Sequence, residues 1–348
     1  MNMKKVLALL LALCMVLSLA ACGASQTDAG AASAADSAPA ESAAETAGSA
    51  AEPAASGSYN VGVCQLVQHE ALDAATQGFQ DAITEQLGDS VTFDVQNASG
   101  DSANCSTIVN GFLSSGVDLI LANATAPLQA AAAATSEVPI LGTSVTDYAT
   151  ALEIDNWNGT VGTNVSGTSD LAPLDQQAAM IQELFPDAGK VGLLYCSAEP
   201  NSVYQCDVME GCLQNMGFTV ERFSFTDTND VTSVTQSACD SVSVIYIPTD
   251  NTAASNTEAI ANVVIPAGIP VVAGEEGICK GCGVATLSIS YYDLGYATGK
   301  MAVQILKGEA DVSTMPVSYA ENVTKKFNQA NCEALGITIP EGYEAIEG

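Results

Sequence analysis

The residues able to do chemistry are gathered in short polar loops, each following an apolar run. The first loop is Gln65-Leu66-Val67-Gln68-His69-Glu70, followed by Asn123-Ala124-Thr125 and Thr143-Ser144-Val145-Thr146-Asp147. Further along come Ser169, then Glu199-Pro200-Asn201-Ser202 with Tyr204 close behind, Thr249-Asp250-Asn251, and Gly274-Glu275-Glu276. Hydroxyls, amides and carboxylates dominate, a set suited to hydrogen bonding rather than to bond breaking. Several loops open helices, where free backbone N–H groups and the positive helix end can hold a carboxylate. Asp250, Glu275, Asp147 or Glu70 could neutralise an ammonium, so the set suits a zwitterion such as an amino acid. Any single Ser, Thr, Asn or Asp here also reads as an ordinary helix N-cap. The clustering at successive loops is what marks Gln65, His69, Asn123, Ala124, Thr125, Thr143, Ser144, Asp147, Ser169, Asn201, Ser202, Tyr204, Asp250, Asn251 and Glu275 as candidate ligand contacts.

No catalytic constellation stands beside them. An enzyme needs a nucleophile with a base and an orienting group, or a metal cluster. The chain has one histidine, His69, and no G-x-S-x-G, Walker loop or H-E-x-x-H. Cys279-Lys280-Gly281-Cys282 is its one C-x-x-C. Zinc would want a second pair or a nearby histidine, so neither metal nor cofactor is expected, and a local loop disulfide is preferred to a redox dithiol. Cys64, Cys105, Cys196, Cys206, Cys212, Cys239 and Cys332 sit mostly in apolar stretches. They read as buried free thiols behaving as small hydrophobes, although exported proteins tend towards disulfides. Trp157 reads as packing a turn, with Tyr204, Tyr291 and Tyr292 as further aromatic surfaces. Asp170 and Asp175 read as helix capping and surface charge.

The elements that must carry these loops alternate. Apolar, β-branched runs at 60–65, 91–96, 117–121 and 138–142, and again at 190–196, 218–223, 242–247, 269–273 and 284–290, are separated by helical stretches such as 72–87, 103–115 and 174–185. Such alternation predicts βαβ units and parallel sheets, and continuous apolar runs predict strands covered on both faces. The plan is used twice. Leu119-Ile120-Leu121-Ala122-Asn123-Ala124-Thr125 resembles Ile245-Tyr246-Ile247-Pro248-Thr249-Asp250-Asn251, and each leads through a helix to a Pro-started strand, at Pro139 and Pro270. A spacing near 130 residues predicts domain duplication rather than a solenoid. Open parallel sheets bind beyond the carboxyl ends of their strands, which places the polar loops of the two lobes across a cleft.

The chain ends set the compartment. Lys4 and Lys5 precede an almost wholly apolar stretch from Val6 to Ala21, which is too short to span a membrane and has the layout of an export signal. Leu19-Ala20-Ala21-Cys22 resembles a bacterial lipobox, which implies lipidation at Cys22 and attachment to the membrane through acyl chains. Residues 23–57 are nearly all small or polar and read as a flexible tether. The net charge is −31, and loss of Lys4 and Lys5 on processing would leave −33, with Arg222 the only arginine. Nucleic acid is excluded as a partner, since it needs a Lys/Arg surface.

Taken together, the segments 63–75, 142–147, 167–173, 197–202 and 247–252, quoted in part above, resemble an ABC-transporter substrate-binding lipoprotein family that includes tryptophan- and tyrosine-binding members. The resemblance covers nearly all of residues 59–340. It implies a type I periplasmic-binding-protein fold: α/β, with two Rossmann-like lobes of parallel sheet joined by a hinge. It also implies uptake of an aromatic amino acid in partnership with an ABC permease and ATPase at the extracytoplasmic face of the membrane. The extra cysteines and Trp157 depart from the pattern. A sugar or nucleoside is the alternative ligand, and a surface sensor or adhesin with the same fold is the alternative role. The expected organisation is a leader at 1–21, a tether at 22–58 beginning with lipidated Cys22, a first lobe at 59–166 plus about 291–316, and a second lobe at 167–290. Residues 317–348 are left unassigned.

Overall fold

The computed structural model describes residues 58–347, with Glu321 excepted. The leader, Cys22 and the tether up to residue 57 lie outside the described residues.

The first sheet uses β1 (Tyr59–Gln65), β2 (Val91–Asn97), β3 (Leu119–Asn123), β4 (Ile140–Val145) and β5 (Val165–Ser169) in the order β2-β1-β3-β4-β5. The second uses β6 (Lys190–Cys196), β7 (Thr219–Phe225), β8 (Val244–Ile247), β9 (Val271–Ala273) and β10 (Ala285–Ser288) in the order β7-β6-β8-β9-β10. The two orders are the same, and every pairing among these ten strands is parallel. This is the doubly wound order with one topological switch point per sheet. The molecule is thus built of two Rossmann-like α/β lobes. The central strands β3 and β4 are buried along their whole length, while β2 is largely exposed at its edge. That contrast explains why the inner strands are unbroken apolar runs and β2 alternates.

Several strands run further into the polar loops than the apolar pattern predicts. Asn123 pairs with Gln65 and Thr143, and Val145 with Ser169, so these polar residues belong to the ladders themselves. β5 also stays in the first sheet through Ser169, which places the first lobe change after that residue rather than at 167.

Helices cover both faces. In the first lobe these are α1 (Glu70–Leu87), α2 (Ser102–Ser115), α3 (Thr125–Ala134) and the short α4 (Tyr148–Ala151). In the second they are α5 (Leu174–Leu184), α6 (Pro200–Asn215), α7 (Val231–Cys239), α8 (Asn251–Ala254), α9 (Thr257–Ala267) and α10 (Glu276–Cys282). α1 buries Leu72, Ala75, Phe79 and Ile83 on one stripe, as helical spacing requires. Trp157 stacks on Tyr148, with ring centroids 6.5 Å apart, inside the first-lobe core.

The chain passes between sheets after β5, after β10 and once more near the end. Following β10, α11 (Tyr291–Leu306) returns to the first lobe and packs along α1. The C-terminal segment serves both lobes. β11 (Ser318–Tyr319) adds to the first sheet beside β5, whereas β12 (Thr324–Phe327), α12 (Gln329–Leu335) and β13 (Glu344–Ala345) complete the second. β12 runs antiparallel to β10.

The α1–α11 contact is backbone-close. A Cβ at Gly295 would run into the Ala75 carbonyl oxygen, and one at Gly78 into the Tyr292 carbonyl oxygen. Because α11 carries one of the lobe connections, this contact fixes where that connection starts. A Gly295→Val substitution is expected to destabilise the protein by about 1–3 kcal/mol through overpacking. Chemical denaturation of the variant beside the wild type measures this.

Candidate ligand-binding site

The carboxyl ends of the strands in both sheets point into one gap. A small, tightly closed cavity lies there. The first lobe contributes His69 and Leu72 from the start of α1, and Ser144 and Thr146 from the end of β4. The second contributes Asn201 from α6, Thr249, Asp250, Asn251 and Ala254 beyond β8, and Glu275 beyond β9. Two residues come from the connections themselves: Asp170 directly after β5, and Tyr291 at the start of α11.

The gap is closed. His69 Nε2 lies 3.2 Å from Asn251 Oδ1, Gln205 Nε2 donates to Thr146 Oγ1 at 3.4 Å, and Lys280 Nζ meets Glu70 Oε1 at 2.9 Å. Each of these contacts joins the two lobes. Asn251 is held for this by Glu199, whose carboxylate accepts from its side-chain Nδ2 at 2.7 Å and its backbone N–H at 3.0 Å. With Nδ2 committed, Oδ1 faces the first lobe. Burial lowers the His69 pKa, against the pull of the Asn251 contact and of nearby Glu199, Asp73 and Glu70.

The polar residues divide into those that serve the backbone and those that do not. Asp250 Oδ2 accepts from Cys196 N–H at 2.6 Å and Oδ1 from Ala253 N–H at 2.8 Å. Glu275 accepts from Gly277 N–H at 2.6 Å and Ile278 N–H at 2.5 Å. Both line the cavity, yet Glu275 caps α10 with both oxygens, and Asp250 caps α8 with Oδ1 and ties the end of β6 with Oδ2. Asp147 caps α4 through Thr150 N–H at 2.7 Å, and Glu70 is engaged with Lys280. Asp250 and Glu275 thus have both oxygens engaged by backbone donors, and Asp147 and Glu70 lie outside the cavity lining.

Gln65 bridges Val67, Asp73 and Thr76, and Asn123 Nδ2 donates to Leu72 O and Thr76 Oγ1, so both fasten α1 to the sheet. Thr143 lies 3.2 Å from Thr168 Oγ1, and Ser169 donates to Thr146 O at 2.7 Å. These four, with Ala124, Thr125, Asp147, Ser202 and Tyr204, lie outside the cavity lining. His69, Ser144, Asn201, Asp250, Asn251 and Glu275 are brought together in it.

Asp170 departs most from the sequence reading. It is neither a cap nor a surface charge: it is only 4% exposed, and Tyr291 donates its hydroxyl to Oδ2 at 2.9 Å. Its other oxygen, Oδ1, is buried without a partner, as is Ser144 Oγ. Burial raises the Asp170 pKa, only partly offset by the hydrogen bonds to it. Ser144 sits at φ 56°, a left-handed conformation rare for a non-glycine residue. The sequence offers Tyr291 as an aromatic surface, and the structure uses its hydroxyl. Asp170 and Tyr291 follow the last strand of each five-strand set, so the strand-tip rule extended to β5 and β10 would have found both.

The C-x-x-C does not form a loop disulfide. Cys279 and Cys282 fall within α10, one helical turn apart, and both point into the second-lobe core as free thiols. Among the described residues no His, Cys, Asp or Glu cluster is arranged to hold a metal ion.

Two Rossmann-like lobes closing on a cavity at facing strand tips define a type I periplasmic-binding-protein fold. Residues 60–345 match the family model described as ABC transporter substrate binding protein. A tyrosine-binding protein of Clostridioides difficile is 33% identical over 279 residues, 79% of this chain and 80% of the relative. The chain belongs to the ABC transporter substrate-binding protein family, whose members are extracytoplasmic solute-binding proteins rather than enzymes. Among solved structures, the ABC domain in complex with L-Trp from Streptococcus pneumoniae is 33% identical with a TM-score of 0.79, covering 83% of this chain and 100% of that one. A ligand-free, open substrate-binding protein with adhesive properties from Clostridium difficile is 35% identical with a TM-score of 0.64, covering 83% and 99%. At similar identity, the chain superposes better on the ligand-bound form than on the open one, in keeping with its closed interlobe contacts. Among the described residues no helix is long and apolar enough to cross a membrane.

The buried caps make stability depend on pH. Burial, then the neighbouring Glu199 charge, pushes Asp250 up to about 8, and burial pushes Glu275 up to about 7. Each folded value lies above its ordinary value of 3.8 or 4.5, so the folded protein holds protons that the unfolded chain releases. The resulting stabilisation is full below the unfolded values and is lost as pH rises through the folded ones. The melting temperature of ligand-free protein is expected to fall between pH 5 and pH 8 (roughly the interval separating unfolded and folded values). An Asp250→Asn variant, which can still cap, should show a flatter profile by differential scanning fluorimetry.

Proposed function

We propose that this protein is the lipid-anchored receptor of an ABC importer for an aromatic amino acid. The observation that carries the reading is the closed interlobe cavity, small and lined by hydroxyls, amides and carboxylates, with only Leu72 and Ala254 as aliphatic walls. A receptor works by differential affinity: ligand that contacts both lobes favours the closed form, and the closed form is what a permease can recognise. The tyrosine-binding and L-Trp-bound relatives support an aromatic amino acid over a sugar or nucleoside. The lipobox-like segment ending at Cys22 supports attachment to the extracytoplasmic face of the cell membrane, with the tether giving the lobes reach to the permease. The partners are then the ligand, the ABC permease and its ATPase, and the membrane itself. A second reading, adhesion or sensing on the same fold, is favoured by the adhesive properties of one relative.

A thermal-shift screen of the purified protein against amino acids, sugars and nucleosides tests the ligand. L-tryptophan or L-tyrosine at 100 times its Kd should add about 2.7 kcal/mol of stability. Stabilisation by sugars or nucleosides alone would sink the amino acid reading. For the anchor, Cys22→Ala is expected to move the protein from the membrane fraction to the soluble fraction of the producing cells. Retention of that variant in membranes would reject the lipid.

A further inference from the structure

We propose that Asp170, held by Tyr291 at the junction of the lobes, is the anchor for a primary ammonium group on the ligand, with Ser144 Oγ as a second acceptor. This deepens the amino acid reading above and rests on it.

Four carboxylates stand at or beside the cavity, and their partners separate them. Asp250 and Glu275 spend both oxygens on backbone N–H groups, and Glu199 spends both on Asn251 and Thr252. Only Asp170 keeps an oxygen free: Oδ1 is buried and unpartnered, while Tyr291 fixes Oδ2 at 2.9 Å. Ser144 Oγ is the other orphaned side-chain atom of the lining, presented by a strained backbone at φ 56° and only 7% exposed. Buried polar atoms are ordinarily satisfied, and an orphan at a cavity wall asks for a partner from the ligand. The lining contains no Lys or Arg. A ligand that enters must therefore bring the positive charge itself, and an ammonium offers three donors to meet a carboxylate and a hydroxyl.

The position suits the role. Asp170 follows β5 and Tyr291 opens α11, so the pair lies on the two connections rather than on either lobe's moving rim. An ammonium bound there would sit at the base of the cleft before closure, leaving the rest of the ligand to recruit the opposing tips. A sugar, having hydroxyls but no charge, would leave the carboxylate uncompensated in a closed site.

The test is calorimetric titration at pH 7.5 of the wild-type protein and Asp170→Asn, with L-tryptophan, L-tyrosine, tryptamine, indole-3-propionate and glucose as titrants. The Asn variant keeps an acceptor for Tyr291 and removes the charge. Wild type should bind the amino acid and lose roughly 100-fold in affinity for indole-3-propionate, which lacks the ammonium. Asp170→Asn should lose roughly as much for L-tryptophan while its ligand-free melting temperature holds or rises, because an uncompensated buried charge has been removed. A merely structural role would lower both together. Amino acid binding that survives Asp170→Asn within about threefold, or that persists equally for indole-3-propionate in the wild type, overturns the inference and leaves the amino acid reading standing. Binding of glucose in place of every amine overturns both. The indole-3-propionate comparison needs no variant and decides the matter even if Asp170→Asn fails to fold.

Discussion

A parallel sheet covered on both faces by helices has only one edge at which polar side chains can collect without breaking the core, the carboxyl ends of its strands. Two such sheets are set here with those edges opposed. The whole molecule follows from that constraint. The apolar strand bodies and helix faces form separate cores behind each edge, and a cluster of hydroxyls, amides and carboxylates lies between them. The chain passes between the lobes at the ends of β5 and β10, so the connections lie beside the cavity rather than behind it. The close approach of α1 and α11 at Gly78 and Gly295 then ties the second connection to the first lobe.

The electrostatics of the gap are a matter of accounting for each carboxylate. The protein is strongly acidic, at −31, and brings no arginine near the cavity. Asp250, Glu275 and Glu199 each have both oxygens engaged by N–H or hydroxyl donors, and burial raises Asp250 and Glu275, which favours their uncharged forms where they are packed close together. What holds the lobes together is comparatively modest. Besides the packing of α4 on α6 and of α1 on α10, the polar links are the hydrogen bonds at His69 and Gln205 and one exposed ion pair between Glu70 and Lys280, whose net worth in water is about 0–1 kcal/mol. Weak direct lobe-to-lobe contacts are what a receptor requires. If closure were strongly favoured without ligand, ligand could not shift the balance.

Much of the architecture was legible in the chain. The alternation of apolar runs with helical stretches, and the echo of 119–125 in 245–251, announced a duplicated parallel fold, because covered strands must be apolar throughout. The strand-tip rule also named His69, Ser144, Asn201, Asp250, Asn251 and Glu275, which line one cavity. It does not separate these from polar residues that serve their own neighbourhood. Gln65, Asn123 and Thr143 look like loop donors, but they lie in strands and bind the start of α1 or the adjoining strand. A polar side chain at a strand end has the same sequence signature whether it turns towards ligand or towards backbone.

The sequence by itself determined the class of fold, the duplication and the rim from which a site could be built, since these depend on periodicity and residue type. Tertiary structure alone decided which carboxylates are occupied and which is left open. Asp250 and Glu275 are indistinguishable from free acids until the N–H groups of Cys196, Ala253, Gly277 and Ile278 are seen to reach them. Asp170 reads as a surface cap until Tyr291, far away in the chain, is seen beside it. The physical reason is that hydrogen bonding saturates: each acceptor's role depends on which donors lie within reach, and donors from distant segments meet only when the chain has folded.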